Sequence, residues 1–102
     1  MTADKVLILE SAANDLLAGK DFYERQKAGL GDYFFDSLVS DIESLEISAG
    51  IHPKHFDFYR MLSRRFPFAI YYDFSGDVAC VAAVLDMRRN PARLRDQLTS
   101  RR

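Results

Sequence analysis

The chain has 102 residues, of which 48% are hydrophobic and 28% charged, and we expect one globular domain over residues 1–102. Its one cysteine excludes an internal disulfide and no apolar run approaches the roughly 20 residues of a membrane span, so we expect a cytoplasmic protein without a membrane segment. The net charge is −1, but residues 88–102 hold six arginines and one acid, which leaves +5 there and −6 on the remainder. Such a basic end suits an acidic partner segment or a nucleic acid, and it is equally typical of solvated surface.

The first half of the chain predicts one strand and two helices. Residues 5–9 are a short apolar run with β-branched side chains and predict a strand. Ser11 is the expected cap of a first helix, and the glycines within residues 29–31 are expected to end it. A second helix is expected from about Asp32. Its apolar stripe consists of Phe34, Leu38, Ile42, Leu45 and Ala49.

Three antiparallel strands are predicted in the second half. Residues 56–62 alternate between two faces, and so do residues 66–74, of which Phe66, Phe68, Ile70, Tyr72 and Phe74 share one face. We expect that face to lie on a core and the opposite face to be partly open to solvent. Residues 75–77 predict a hairpin turn, and residues 78–85 are apolar on both faces, as in an interior strand.

A C-terminal helix completes the predicted architecture. Asn90 and Pro91 are typical of a helix cap and a first helical residue, and Leu94 and Leu98 are expected to face inward. The predicted order is therefore strand, two helices, three strands and a helix. This order indicates an α+β fold, in which a helical hairpin packs on an antiparallel sheet of three further strands. The first strand is expected at the edge of the sheet or beside the interior strand.

Several short motifs between about residue 6 and residue 95 occur in a characteristic order and spacing. They are Glu10-Ser-Ala, Asp15-Leu16, Phe22-Tyr23-Glu24, Gly29-Leu-Gly31, Tyr59-Arg60, Arg65-Phe66-Pro67-Phe68 and Arg88-Arg89-Asn90-Pro91. Together they resemble the RelE/ParE superfamily, the toxins of type II toxin–antitoxin (plasmid stabilization) systems, and more closely its ParE branch. The resemblance implies a RelE/ParE-like fold and growth inhibition. It also implies a cognate antitoxin whose flexible segment lies over the toxin and blocks it.

The resemblance leaves the cellular target open. RelE-like members cut messenger RNA on the ribosome, whereas ParE-like members inhibit DNA gyrase and need no nuclease chemistry. An arginine of the nucleases falls on Ala69 and their C-terminal tyrosine on Leu94, and neither side chain can transfer a proton. We therefore favour a ParE-like inhibitor that is not an enzyme. A RelE-like endonuclease and a non-toxic interaction module of the same fold are the alternatives.

Five arginines are candidate residues for binding the target or the antitoxin. They are Arg60, Arg65, Arg88, Arg89 and Arg93. A guanidinium group recognises carboxylates through paired hydrogen bonds. Arg88 would be the catalytic residue of a nuclease, and the alternative is that it forms a salt bridge with Asp86. Arg60, Arg64 and Arg65 are expected on adjoining strands, although Arg64 is equally well explained as a charge that protects a strand edge.

Three other features carry weaker signals. Two histidines within residues 52–55 flank Pro53 without a nearby cysteine or acidic cluster, so we expect a loop and not a metal site. Cys80 is expected in the core. The aromatic face of residues 66–74 could stack nucleic-acid bases, but burial under the helical hairpin explains it more simply. We expect no cofactor and no metal, and a homodimer is possible where the antitoxin is absent.

Overall fold

A five-stranded sheet forms the middle layer of the protein, and the structure, a computed structural model, describes residues 2–102. The elements are β1 (Lys5–Ile8), α1 (Glu10–Gln26), α2 (Leu30–Glu43), α3 (Leu45–Ser48), β2 (Lys54–His55), β3 (Phe58–Leu62), β4 (Phe68–Ser75), β5 (Val78–Asp86) and α4 (Pro91–Ser100). The strand order is β1-β5-β4-β3-β2, in which β1 runs parallel to β5 and the other neighbours are antiparallel. No helix within residues 2–102 is long and apolar enough to cross a membrane. The predicted α+β class is confirmed.

The helical hairpin depends on a glycine turn between α1 and α2. Gly29 has φ +88°, a left-handed conformation that glycine adopts without a steric penalty. The Glu24 carboxylate accepts hydrogen bonds from the amides of Gly29 and Gly31, both at 3.0 Å. Because Gly29 is the turn residue, α2 begins at Leu30, two residues before the predicted start. All five residues of the predicted apolar stripe are buried, but the single helix expected to carry them is divided at Ser44, so that Leu45 lies in α3 and Ala49 follows it.

Two hydrophobic cores lie on opposite faces of the sheet. The hairpin core lies under α1 and α2 and includes Phe34, Leu38, Phe68, Ile70 and Tyr72. The C-terminal core lies under α4 and includes Phe58, Ala69, Tyr71, Leu85, Leu94 and Leu98. The prediction that the second face of β4 is partly open was wrong, because Leu94 and Leu98 of α4 cover it.

The strand predicted at residues 56–62 is shorter than expected. Phe56 and Asp57 have φ of +54° and +74°, and they form the turn of a hairpin between β2 and β3. Positive φ is uncommon outside glycine, and although aspartate adopts it more often than most residues, the phenylalanine at the first turn position gives no sign of this turn. The next predicted strand also begins later, at Phe68, while the predicted turn at residues 75–77 and the cap at Asn90 are confirmed.

Ser11 does not cap the first helix. The helix begins at Glu10, and the Ser11 hydroxyl donates a hydrogen bond to the Ala82 carbonyl of β5 at 2.7 Å. Strand β1 pairs with β5 only from Val78 to Val81. The Ser11 hydroxyl therefore supplies the donor for the next residue of β5, where no strand is present to do so. The prediction that β5 is an interior strand is therefore confirmed for its first half only.

The Tyr72 side chain forms hydrogen bonds with the connection between α3 and β2. Its hydroxyl accepts the Gly50 amide hydrogen at 3.0 Å and lies 2.5 Å from Nδ1 of His52. The Gly50 amide supplies the proton of its own hydrogen bond, so the Tyr72 hydroxyl can donate its proton to Nδ1 of a neutral His52. Burial lowers the pKa of His52, which favours this neutral form.

Gly19→Ala is expected to destabilise the protein, although the same change stabilises most helices by about 0.5–1 kcal/mol. A Cβ at position 19 would lie 2.5 Å from the ring of Phe34, which is fully buried among other core residues and would have to shift. We expect a loss of about 1–3 kcal/mol in the free energy of unfolding, measured by urea denaturation. Asn14→Ala, at an exposed site of α1, is the control and should change stability little. A Gly19→Ala protein as stable as the wild type would contradict the packing described here.

Acidification is expected to weaken the protein through His52. Since burial lowers the pKa of folded His52 below its ordinary value of 6.5, the unfolded chain takes up the proton first. Stability is therefore complete above that ordinary value and declines as the pH falls through it toward the folded pKa. The urea midpoint should drop between about pH 7.5 and about pH 5.5 in the wild type, and less in His52→Gln, which does not titrate. Equal drops in the two proteins would show that His52 is not responsible.

Candidate functional site

Most of the candidate arginines lie at one end of the sheet, where β3 and β5 finish and β4 begins. We call the exposed residues Arg64, Arg65, Arg88, Arg89 and Arg93 the arginine end. The connection before β4 and the one after β5 meet here, because the Met87 amide donates a hydrogen bond to the Pro67 carbonyl at 2.8 Å. The topology therefore gathers charges that are up to 29 positions apart in the sequence.

A buried carboxylate of α2 positions the connection between β3 and β4. Asp41 is only 6% exposed, and it accepts hydrogen bonds from the Ser63 hydroxyl at 2.7 Å and the Arg64 amide at 3.2 Å. These donors compensate for its burial. The backbone at Arg64 and Arg65 is thereby tied to α2 while both side chains remain in solvent. The expectation that these two arginines sit on strands was wrong, since both lie in this connection.

Arg60 lies apart from the arginine end. It is opposite Tyr71 in the β3–β4 register and is half-buried, on the sheet face that carries α4. Its Nε atom is buried without a hydrogen-bond partner, and Arg60 forms no salt bridge within residues 2–102. Burial raises the pKa of the Tyr71 hydroxyl, and the neighbouring Arg60 opposes that rise. The five predicted residues thus form one group of four and one separate cation.

Arg88 is engaged by its neighbour Asp86. Its Nε and Nη2 atoms donate hydrogen bonds to the two oxygens of Asp86 at 3.0 and 2.8 Å, and its amide donates a third at 2.9 Å. The hydrogen bond from Arg88 is the main cause that lowers the pKa of Asp86, and the carboxylate in turn raises the pKa of Arg88. The salt bridge considered as an alternative for Arg88 is therefore present. Because Arg88 is 59% exposed, the pair is worth only about 0–1 kcal/mol and leaves the other side of the guanidinium accessible.

The remaining C-terminal arginines differ in whether an acidic side chain binds them. Arg101 binds Asp15 at 2.5 Å, and Arg102 binds Asp73 at 2.8 Å while it stacks on the Phe58 ring. Arg95 pairs with the adjacent Asp96. Within residues 2–102, only Arg89 and Arg93 of the six have no acidic partner. The sequence gives no local signal for the first two contacts, because the partners lie 86 and 29 positions away.

A groove beside the arginine end was not predicted from the sequence. It lies between α1, the last residues of β5 and α4, and its volume is about 170 Å³. Its lining includes Ala18 and Phe22 of α1, Val84 and Asp86 of β5, and Arg89 and Gln97. The Gln97 Oε1 atom is buried without a hydrogen-bond partner.

The two positions of the RelE-type nucleases are occupied by core residues. Ala69 is fully buried and Leu94 is 4% exposed, and both fill the C-terminal core. The aromatic face of β4 is covered by the hairpin, so burial and not base stacking accounts for Phe68 and Tyr72. Cys80 was predicted to lie in the core, but it is only half-buried. Within residues 2–102 no group of His, Cys, Asp and Glu is arranged to hold a metal.

Comparison with solved structures finds a protein of similar fold. No protein-family model matches the chain, and no curated protein matches it significantly in sequence. A chain from a solved structure titled "Chromosomal ParDE TA system from P. aeruginosa" is similar in structure, with a TM-score of 0.76 and 17% identity. The similarity covers 82% of this chain and 96% of that one. The ParE-like fold expected from the sequence motifs is confirmed.

Arg88→Ala should raise the pKa of the Asp86 carboxyl back toward its ordinary value of about 3.9. The hydrogen bond from Arg88 is the first cause of the lowered value, whereas Arg89 acts only by its charge. Arg89→Ala is therefore the matched control and should raise the pKa less. Carboxyl carbon chemical shifts followed by NMR titration would measure both, and equal shifts in the two variants would contradict the bonding described for Arg88.

Proposed function

We propose that this protein is the ParE-like toxin of a type II toxin–antitoxin system and acts in the cytoplasm. The single observation that carries the proposal is the fold shared with a chain of the P. aeruginosa ParDE system over 96% of that chain. The order of motifs from Glu10 to Pro91 adds independent support from the sequence. In this proposal a cognate antitoxin neutralises the protein, and the pair stabilises a plasmid or a chromosomal segment.

A macromolecular target such as DNA gyrase fits the exposed charges. Arg65, Arg89 and Arg93 are exposed and have no acidic partner within residues 2–102. Arginine is among the residues that contribute most to protein interfaces, because its planar group makes several directed hydrogen bonds. The rest of the molecule carries a net negative charge, which opposes extensive wrapping of a nucleic acid. We therefore favour a protein target over a nucleic acid.

The antitoxin is proposed to use the same charges. An acidic segment that paired with Arg89 and Arg93 would cover the arginine end and exclude the target by competition. Without it, the apolar residues left exposed, among them Leu17, Phe22 and Leu62, favour self-association into a homodimer.

A ribosome-dependent messenger-RNA endonuclease is the alternative function. It is less well supported, because Ala69 and Leu94 supply core packing at the positions expected to act on RNA. Arg88, the residue that such an enzyme would use, is held by Asp86. An interaction module that has lost toxicity but keeps its partner is the third possibility.

Growth of an inducible bacterial host tests the toxin assignment. We expect growth to stop when this chain is expressed alone and to resume when the open reading frame beside its gene is expressed with it. That neighbour should encode a DNA-binding part and an amphipathic tail. Unimpaired growth at every level of the folded protein would favour the non-toxic module and reject the toxin assignment.

Assays with the purified protein distinguish DNA gyrase from messenger RNA on the ribosome as the target. We expect inhibition of gyrase supercoiling, and at least about tenfold weaker inhibition when Arg89 and Arg93 are both changed to alanine. Arg95→Ala is the matched control, since its charge is already paired with Asp96. Cleavage of messenger RNA on translating ribosomes that is lost in Arg88→Ala, without any effect on gyrase, would reverse the assignment in favour of the endonuclease.

A further inference from the structure

Strand β1 forms an edge of the sheet, and its outer side carries unpaired backbone groups. The amides of Lys5 and Leu9 donate to backbone carbonyls on the β5 side at 3.3 and 2.9 Å, so the odd-numbered residues of this strand point their backbone groups at β5. Val6 and Ile8 therefore point their amides and carbonyls away from the sheet. No strand lies beyond β1 in the sheet order, and these four groups have no hydrogen-bond partner within residues 2–102.

The same strand exposes large apolar side chains on both faces of the sheet. Leu7, Ile8 and the following Leu9 are 42%, 40% and 44% exposed. Val6 packs against the hairpin core, so Ile8 lies on the hairpin face, while Leu7 and Leu9 lie on the α4 face, outside the C-terminal core. Proteins usually protect such an edge with charges, proline or a covering element, and β1 has only Lys5. The edge is therefore open to pairing with another strand.

A second copy of the chain matches this edge by symmetry. Two β1 strands that run antiparallel about a twofold axis at Leu7 place Val6 of each copy opposite Ile8 of the other. Such a pair exchanges both of its N–H···O=C hydrogen bonds, so four bonds satisfy all the outward groups of both copies. A register shifted by two residues would place Val6 or Ile8 opposite Glu10 or Asp4, which lie outside the strand. The match is thus specific to one register.

The charges near β1 also favour a second copy over a strongly charged partner. Asp4, Lys5 and Glu10 leave this segment close to neutral, in contrast to the arginine end. In the antiparallel register Lys5 of each copy lies opposite Leu9 of the other, next to Glu10 of that copy. Each end of the contact therefore holds a cation between two acids, and the two Leu7 side chains face each other at its centre.

We propose that two copies of this protein associate through β1 and join their sheets into one continuous sheet. Backbone hydrogen bonds between Val6 and Ile8 and the contact of the two Leu7 side chains hold the pair together. The inference identifies the surface of the self-association described above, and it holds whether or not the chain is a toxin. A contact built on so short a strand is small, so monomer and dimer should exchange with concentration.

Sedimentation velocity of the purified chain at increasing concentration is expected to show this reversible dimer. Leu7→Lys and Leu7→Glu each place like charges opposite each other at the axis, and each should weaken dimerisation at least about tenfold. An equal mixture of the two variants should recover the dimer, because lysine then faces glutamate. Leu62→Lys, at an exposed apolar residue of β3, is the matched control and should dimerise like the wild type. Circular dichroism should show the same folded structure in all of these proteins.

Amide exchange of the wild type locates the contact without a variant. The Val6 and Ile8 amides should exchange more slowly as the protein concentration rises. A chain that stays monomeric up to millimolar concentration, or a dimer that Leu62→Lys dissociates and Leu7→Lys does not, would overturn the inference. Protection of the two amides only after the neighbour-encoded protein is added would assign the edge to that protein, with the same consequence.

The failures of this inference and of the proposed function are distinguishable. A chain that dimerises through β1 but neither stops growth nor inhibits gyrase keeps the inference and loses the toxin assignment. A toxic chain that remains a monomer keeps the toxin assignment and loses the inference.

Discussion

The Asp15 carboxylate is the contact on which the arrangement of the layers depends. It lies on α1, accepts the Val84 amide of β5 and binds Arg101 after α4 with both oxygens. Asp15 and Arg101 are 15% and 20% exposed, so each partner compensates for the burial of the other. One ion pair therefore connects the helical hairpin, the sheet and the C-terminal helix, and it does so at the point where β5 has lost its neighbouring strand.

Compensation by acids also decides which arginines remain available. The C-terminal segment has a large positive charge in the sequence, but its last two arginines form ion pairs with Asp15 and Asp73. Asp86 holds Arg88 at the surface. What remains for a partner is a smaller set of cations around one end of the sheet, next to a groove of side-chain size. The surface therefore favours a directed contact with a few carboxylates over general attraction to polyanions.

Periodicity predicted the elements well, whereas contacts distant in sequence were not predictable. The stripe of α2, the alternation of β4 and the Asn90 cap follow from local rules, and each is present. The β2–β3 hairpin was missed because its first turn residue, Phe56, has a positive φ that a bulky side chain rarely adopts, whereas Asp57 adopts one more readily. Ser11 has the chemistry of a cap but meets a strand edge 71 positions away, and such a choice depends on the packed layers. For the same reason, the candidate arginines could be named from the sequence, but their partners and the groove could not.

The separation of the two cores makes the layers unequal in their resistance to opening. α4 buries only Leu94 and Leu98, and it is held at its end by the charges of Arg101 and Arg102. The exposed pair with Asp73 is weakened by dissolved salt, while the apolar contacts of the hairpin core are not. Rising ionic strength therefore weakens one of the two ion pairs at the end of α4, while the less exposed pair of Arg101 with Asp15 is screened less. The attachment of the C-terminal layer thus combines one contact that depends on the salt concentration with two that depend on it much less, the Asp15–Arg101 pair and the apolar packing of Leu94 and Leu98.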